Sequence, residues 1–177
     1  MRVITGYLKG RIFDSPKSPR THPMGDKIRG ALFNILGDIE GFHVLDAFAG
    51  SGAIGFEALS RGAASATLIE SDRAAQKVIA SNIHKLALSQ TAILIASSAN
   101  AWLRSSYDKF EIVILDPPYD NLQEATLRQL ADRIKPGGIL ALSLPPMANI
   151  NLPNDYNTIS TKSYGDAQLR LYRRAKT

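Results

Sequence analysis

The chain has 177 residues, 45% of them hydrophobic, which suits one soluble domain with a full core. It has no cysteine, which excludes disulfides, thiolate metal sites and a cysteine nucleophile, and no apolar run reaches the length of a membrane span. The net charge of +5 is uneven: residues 1–30 hold seven Lys/Arg against two Asp and residues 162–177 hold five against one, so basic ends flank an acidic centre, a pattern that suits a polyanionic partner.

Met1 leads into Arg2-Val3-Ile4-Thr5-Gly6, which has neither the apolar core nor the cleavage site of a secretory signal, so a cytoplasmic location is expected. Residues 2–7 and 9–13 are predicted as two short strands turning near Gly6 and Gly10. Basic residues interleave with strand formers there, which favours nucleic acid as the partner. The candidate contacts are Arg2, Lys9, Arg11, Arg20, Lys27 and Arg29. Ser15-Pro16-Lys17-Ser18-Pro19 is a polar, proline-broken link. Asp26 is the expected N-cap of a helix, with Ile28, Ala31, Leu32 and Ile35 at helical spacing up to Gly37. Residues 1–40 are therefore expected to form a hairpin-and-helix appendage on a main domain over 41–177.

From there strands and helices alternate: strand 44–48, helix 53–61, strand 66–70, helix 73–88, strand 91–95, helix 99–104, strand 110–115, helix 123–134 and strand 138–144. Residues 156–162 and 168–173 read as two more strands joined by Tyr164-Gly165-Asp166. The pattern predicts an α/β fold: a mostly parallel sheet with helices on both faces and an antiparallel hairpin at its C-terminal edge.

The first strand ends in Asp46-Ala47-Phe48-Ala49-Gly50-Ser51-Gly52-Ala53-Ile54-Gly55, and Glu70 ends the second. The glycines fit the G-x-G-x-x-G fingerprint of a dinucleotide site, where a helix N-terminus meets a pyrophosphate and an acid meets a ribose. S-adenosylmethionine is the competing ligand. It carries a cationic amine and sulfonium and no phosphate, so an acid just before the loop suits it better. Gly55 also fits plain helix-on-strand packing. After the third strand, Ser97-Ser98-Ala99-Asn100-Ala101 opens a short helix. Asn100 and a nearby backbone N–H can read an adenine edge, or Ser98 and Asn100 can simply cap the helix.

Asp116-Pro117-Pro118-Tyr119 follows the apolar run Ile112-Val113-Ile114-Leu115. Two successive prolines force the backbone out of the sheet in a stiff, extended turn. The turn offers a carboxylate and carbonyls to an exocyclic amino group, and a ring to stack on the base. The three histidines show no metal-ligand spacing, although His22 lies in the basic segment. Trp102 is expected in the core or a pocket wall, and hairpin packing is the first duty expected of Tyr7 and Phe13.

Taken in order, Asp46 to Gly52, Glu70, Asn100-Ala101 and Asp116 to Tyr119 resemble a class I S-adenosylmethionine-dependent methyltransferase acting on an exocyclic base nitrogen. More narrowly, the Arg2–Arg11 start, the Asp26–Asn34 stretch, Phe48 to Ala63 and the ending Leu169-Arg170-Leu171-Tyr172 resemble the RsmD family, which methylates guanine N2 in bacterial small-subunit ribosomal RNA. The resemblance implies a Rossmann-like fold and ribosomal RNA or the small subunit as partner, and a monomer is expected of an enzyme that docks on a large RNA. The resemblance also implies catalysis by Asp116, Pro117 and Tyr119. Cofactor contacts are implied at Asp46, Ala49, Gly50, Ser51, Gly52, Glu70, Ser71, Asn100, Ala101 and Asp116. The fifth strand ends in Ser143-Leu144-Pro145-Pro146 where family members often carry a glutamate. The rivals are a DNA adenine-N6 methyltransferase, a non-catalytic RNA-binding assembly factor, and an NAD-dependent oxidoreductase that leaves Asp116 to Tyr119 unexplained.

Overall fold

The computed structural model describes residues 1–17 and 24–176. Their elements are α1 (Asp26–Leu36), β1 (His43–Asp46), α2 (Ala53–Ser60), β2 (Ser65–Glu70), α3 (Arg73–Lys85), β3 (Ala92–Ala96), α4 (Ala99–Ser105), β4 (Phe110–Leu115), α5 (Glu124–Ala131), β5 (Ile134–Leu144), β6 (Tyr156–Tyr164) and β7 (Ala167–Arg174). The sheet order is β3-β2-β1-β4-β5-β7-β6. β1 to β5 run parallel, while β7 pairs antiparallel with both β5 and β6. The order reverses between β1 and β4, so their carboxyl ends flank a topological switch point, where open α/β sheets bind ligands.

Side-chain alternation divides the interior in two. Val44, Leu68, Ile112 and Ile114 pack with Leu32 and Phe33 of α1, Phe56 of α2 and Ile79 of α3. Their strand neighbours Leu45, Ile69, Val113 and Leu115 pack with Trp102 and Leu103 of α4 and Leu127 and Leu130 of α5. Central strands buried on both faces explain the continuous apolar runs in the sequence. Trp102 belongs to this second core.

The first segment departs from expectation. In place of two strands there is a single antiparallel bridge, Arg2 to Ile12, supported by Val3 N–H to Arg11 O at 3.0 Å and Gly10 N–H to Val3 O at 2.9 Å. The amides of Ile4, Thr5, Tyr7 and Leu8 go to α2. The Glu57 carboxylate accepts from Ile4 N–H at 2.7 Å and Thr5 N–H at 3.0 Å, and Ser60 accepts from Tyr7 and Leu8. Val3, Leu8 and Phe13 join the core of α1 and α2, so the appendage shares the main core. Ser18, Pro19, Arg20, His22 and Pro23 lie outside the described residues.

Several boundaries also move. Gly25, not Asp26, is the N-cap of α1, and the Asp26 carboxylate pairs with Arg2 and Arg29. α3 stops at Lys85, and Ala87 takes a positive φ of 60°. α5 ends at Ala131, and β5 already begins at Ile134, with a register irregularity opposite Phe110 to Ile112 that absorbs Pro136-Gly137-Gly138. Among the described residues no helix is long and apolar enough to cross a membrane.

Candidate active site

Three acids meet at the carboxyl edge of the sheet. Asp46 pairs in register with Leu68 of β2 and Ile114 of β4, and Glu70 and Asp116 each follow two positions later. Asp46 is fully buried, and among the described residues neither of its oxygens has a hydrogen-bond partner. Burial above all, then the charges of Asp116 and Glu70, push its pKa up to about 8. The Gly55 and Phe48 amides pull the other way without closing a hydrogen bond of normal geometry. A buried carboxyl left without donors is costly, and a cation lodged beside it would remove that cost.

The loop after β1 is shaped for close approach. Gly52 sits at φ 80°, and a Cβ there would lie 2.7 Å from the Phe56 ring. Gly55 instead lets α2 lie against β2, since its Cβ would meet Leu68 at 2.2 Å, which is the packing role. Gly50 N–H donates to Glu70 at 2.7 Å, and the other Glu70 oxygen accepts from Asp72 N–H at 2.7 Å. Glu70 thus ties two loops together, and each oxygen keeps a lone pair for a ligand hydroxyl. Ala49 and Ser51 are buried within the loop, and Ser71 is exposed beside it.

The expected adenine contact is engaged otherwise. The Asn100 amide donates to Gln123 at 2.7 Å and accepts from Thr126 at 2.6 Å, bridging α4 to α5. Ala101 N–H is capped by the Ser98 hydroxyl at 3.2 Å. The side-by-side packing of two short helices and the need for a cap account for both partners.

The Asp116 to Tyr119 turn leaves β4 beside the end of β5. Asp116 is half-buried, and burial raises its pKa to about 6 while the Ser143 hydroxyl opposes the rise. The Tyr119 phenol lies 2.9 Å from the Ser143 hydroxyl. Burial also lifts the phenol pKa. Pro117 is buried and Pro118 exposed. Two clefts, of about 210 and 240 Å³, lie at the opposite edge of the sheet, around Lys135 and Arg173 and around His43 and Phe110. They have no part in this arrangement.

A family model described as "Conserved hypothetical protein 95" matches residues 1–173. Ribosomal RNA small subunit methyltransferase D of Escherichia coli K12 is 41% identical over 134 residues, 75% of this chain and 67% of that one. Its Haemophilus influenzae counterpart is 31% identical over 97% of this chain and 93% of that one. The solved structure of Escherichia coli yhhF superposes with a TM-score of 0.89 at 33% identity, covering 100% of this chain and 99% of that one. The chain belongs to the ribosomal RNA small subunit methyltransferase D family. It is a methyltransferase with a Rossmann-like α/β fold.

In this methyltransferase the basic candidates separate. Lys9, Arg11 and Lys27 are exposed, as is Arg2, which pairs with Asp26 at 3.3 Å. Arg11 also donates to the Lys85 carbonyl at 3.1 Å. Arg29 is a correction. It is fully buried, donates to Asp26 at 2.9 Å, to the Arg2 carbonyl at 2.8 Å and to the Met24 carbonyl at 3.3 Å, and lies 3.9 Å from Glu57. Such a guanidinium braces the first segment and cannot reach a phosphate. Arg20 lies outside the described residues. Phe13 packs edge-on against Phe56, whereas Tyr7 is 69% exposed, so packing holds for the first and not for the second.

Among the described residues no cluster suits a metal ion. The residue that sequence reasoning passed over is Ser143, noted only as a departure from the family pattern. The available signal is its place in Ile139 to Leu144, where it is the single polar side chain in a buried strand end.

Proposed function

We propose that this methyltransferase moves a methyl group from S-adenosylmethionine to the exocyclic N2 of a guanine in small-subunit ribosomal RNA. The observation that carries the reading is the buried Asp46 carboxyl without donors beside the Asp116 to Tyr119 turn. The names of the relatives supply the RNA class.

The residues fit the donor. Asp46 would hold its cationic part, Glu70 and Ser71 its ribose, and the Ala49-Gly50-Ser51-Gly52 loop would give its backbone close approach. Asn100 and Ala101 would meet adenine only by giving up their present partners Gln123, Thr126 and Ser98. When bound, S-adenosylmethionine supplies a methyl carbon already activated by a sulfonium.

The protein then works on the other reactant. A guanine amine is a poor nucleophile because its lone pair is spread into the ring. Asp116 and the Pro117 carbonyl accept its two hydrogens, which turns the lone pair out of the ring plane and stabilises the positive charge that develops on nitrogen. Tyr119 covers the base face. As the new N–C bond forms, the methyl–sulfur bond would break with its electron pair passing to sulfur, leaving a neutral thioether; the nitrogen sheds one proton, and an Asp116 carboxylate with a pKa of about 6 can take it and pass it to water. Residues 1–40 grip RNA backbone through Arg2, Lys9, Arg11 and Lys27, and the target base is presented unstacked.

The test uses radiolabelled S-adenosylmethionine with naked ribosomal RNA, small subunits or DNA, followed by nucleoside analysis. N2-methylguanosine from ribosomal RNA or small subunits is the expected product. Asp116→Asn is expected to slow transfer at least about 100-fold while donor affinity stays within about threefold. Near-normal turnover in that variant, or methylation confined to DNA adenine, would sink the proposal.

A further inference from the structure

Resting on that reading of the site, we propose that Ser143 is a positioning residue that joins Asp116 and Tyr119 into one hydrogen-bonded unit and so sets how the target amine is held. β4 and β5 run parallel with Leu115 beside Leu142, which puts Asp116 beside Ser143 at the next position. Ser143 is 3% exposed, and its hydroxyl needs partners there. One is the Tyr119 phenol at 2.9 Å, where distance alone leaves either oxygen as donor.

Chemistry settles the direction. Of the two contacts, that to Tyr119 closes a hydrogen bond of normal geometry, while strand register sets Asp116 beside the serine; a carboxylate only accepts, so a Ser143 hydroxyl turned towards Asp116 has to donate. It owns one hydrogen, so in the other bond it accepts and Tyr119 donates. The chain therefore runs from phenol to serine to carboxylate. It anchors the far end of the Tyr119 ring and leaves the remaining carboxylate lone pairs to the amine. It also favours the ionised Asp116 against the burial that opposes it.

The groups that surround this chain are few. Asp46 of β1 is the charged neighbour of Asp116, with Glu70 of β2 behind it. Asp166 acts on Tyr119 from the β6–β7 turn. Arg170 of β7, in register with Leu142, donates to the Pro146 carbonyl.

The experiment measures methyl transfer against pH at saturating tritiated S-adenosylmethionine, with small subunits from cells lacking this methylation as acceptor. Ser143→Ala is expected to lose roughly tenfold at about pH 6.5 and less than about threefold at about pH 8.5, because the stranded carboxylate holds its proton longer. Donor affinity should not change, and Ser143→Thr should restore most of the rate. Tyr119→Phe should leave the acid limb in place, since Ser143 still donates to Asp116, while weakening acceptor binding. Ser143→Ala with a wild-type profile shape, lowered or not, overturns the proposal. So does an acid limb that moves to lower pH in Tyr119→Phe, which would mean that the phenol had been taking the serine hydrogen. If Ser143→Ala does not fold, the Tyr119→Phe limb decides. Full activity in Asp116→Asn instead overturns the reading of the site itself, a separate result.

Discussion

At the residue scale the most consequential group is Asp46. It and Asp116 compete for charge in one pocket, and the more deeply buried of the two keeps its proton while the other ionises. An aspartate whose folded-state pKa is raised stabilises the fold fully below its unfolded value near 4. That contribution is lost as pH rises through about 8. Asp46→Asn keeps the shape and removes the charge. It should therefore raise the melting temperature of the ligand-free protein, with a gain that grows from about pH 5 to about pH 8.5 and reaches on the order of 2 kcal/mol. The same variant should lose at least about tenfold in S-adenosylmethionine affinity by calorimetry. A melting temperature equal to wild type at both pH values would show that the carboxyl is hydrated and not stranded. The strand-end acids were legible because each closes an apolar run, with a glycine loop after Asp46 and two prolines after Asp116. The partners of Asn100 were not, because Gln123 and Thr126 come from a helix whose packing beside α4 no local pattern encodes.

At the scale of elements, the alternating pattern located nearly every strand and helix of the main sheet. The misjudged pieces are those whose hydrogen bonds go elsewhere than into a ladder. Residues 4–8 are strand formers by composition, yet their amides bind Glu57 and Ser60 of α2. The only mark of this in the sequence is a lone acid in an otherwise apolar helix, Ala53-Ile54-Gly55-Phe56-Glu57-Ala58-Leu59. Glu57 is fully buried and also pairs with Arg61 at 2.8 Å and Arg29 at 3.9 Å. Glu57→Ala strands two backbone amides and removes one of the two carboxylates beside the buried Arg29 guanidinium, so it should cost about 3–5 kcal/mol in urea unfolding. Amide exchange should accelerate first at Ile4 and Thr5. A loss under about 1 kcal/mol would mean that the first segment is held by Val3, Leu8 and Phe13 alone.

At the scale of the whole molecule, the basic ends are not equivalent. Arg173 and Arg174 of β7 brace the Gly137 and Ile134 carbonyls, Arg174 also pairs with Asp155 at 2.9 Å, and Arg170 braces Pro146. Much of the C-terminal charge therefore closes the sheet. The N-terminal charge is different: Lys9 is exposed on the same segment as the exposed Tyr7 and Ile12, which is fastened to the last turn of α2, and Lys27 is exposed on α1. These cations offer phosphate contacts apart from the pocket, whose own acids repel phosphate, so affinity for RNA and affinity for a cationic donor are set by separate residues. Replacing Lys9 and Lys27 together by Ala should weaken RNA binding several-fold at low salt. It should also lower the slope of log K against log salt by about 1.5, the amount expected for two lost single-strand contacts. Donor affinity should stay the same. A slope equal to wild type would move the RNA contact away from this segment, whereas a parallel loss of donor binding would mean that the segment shapes the pocket through α2.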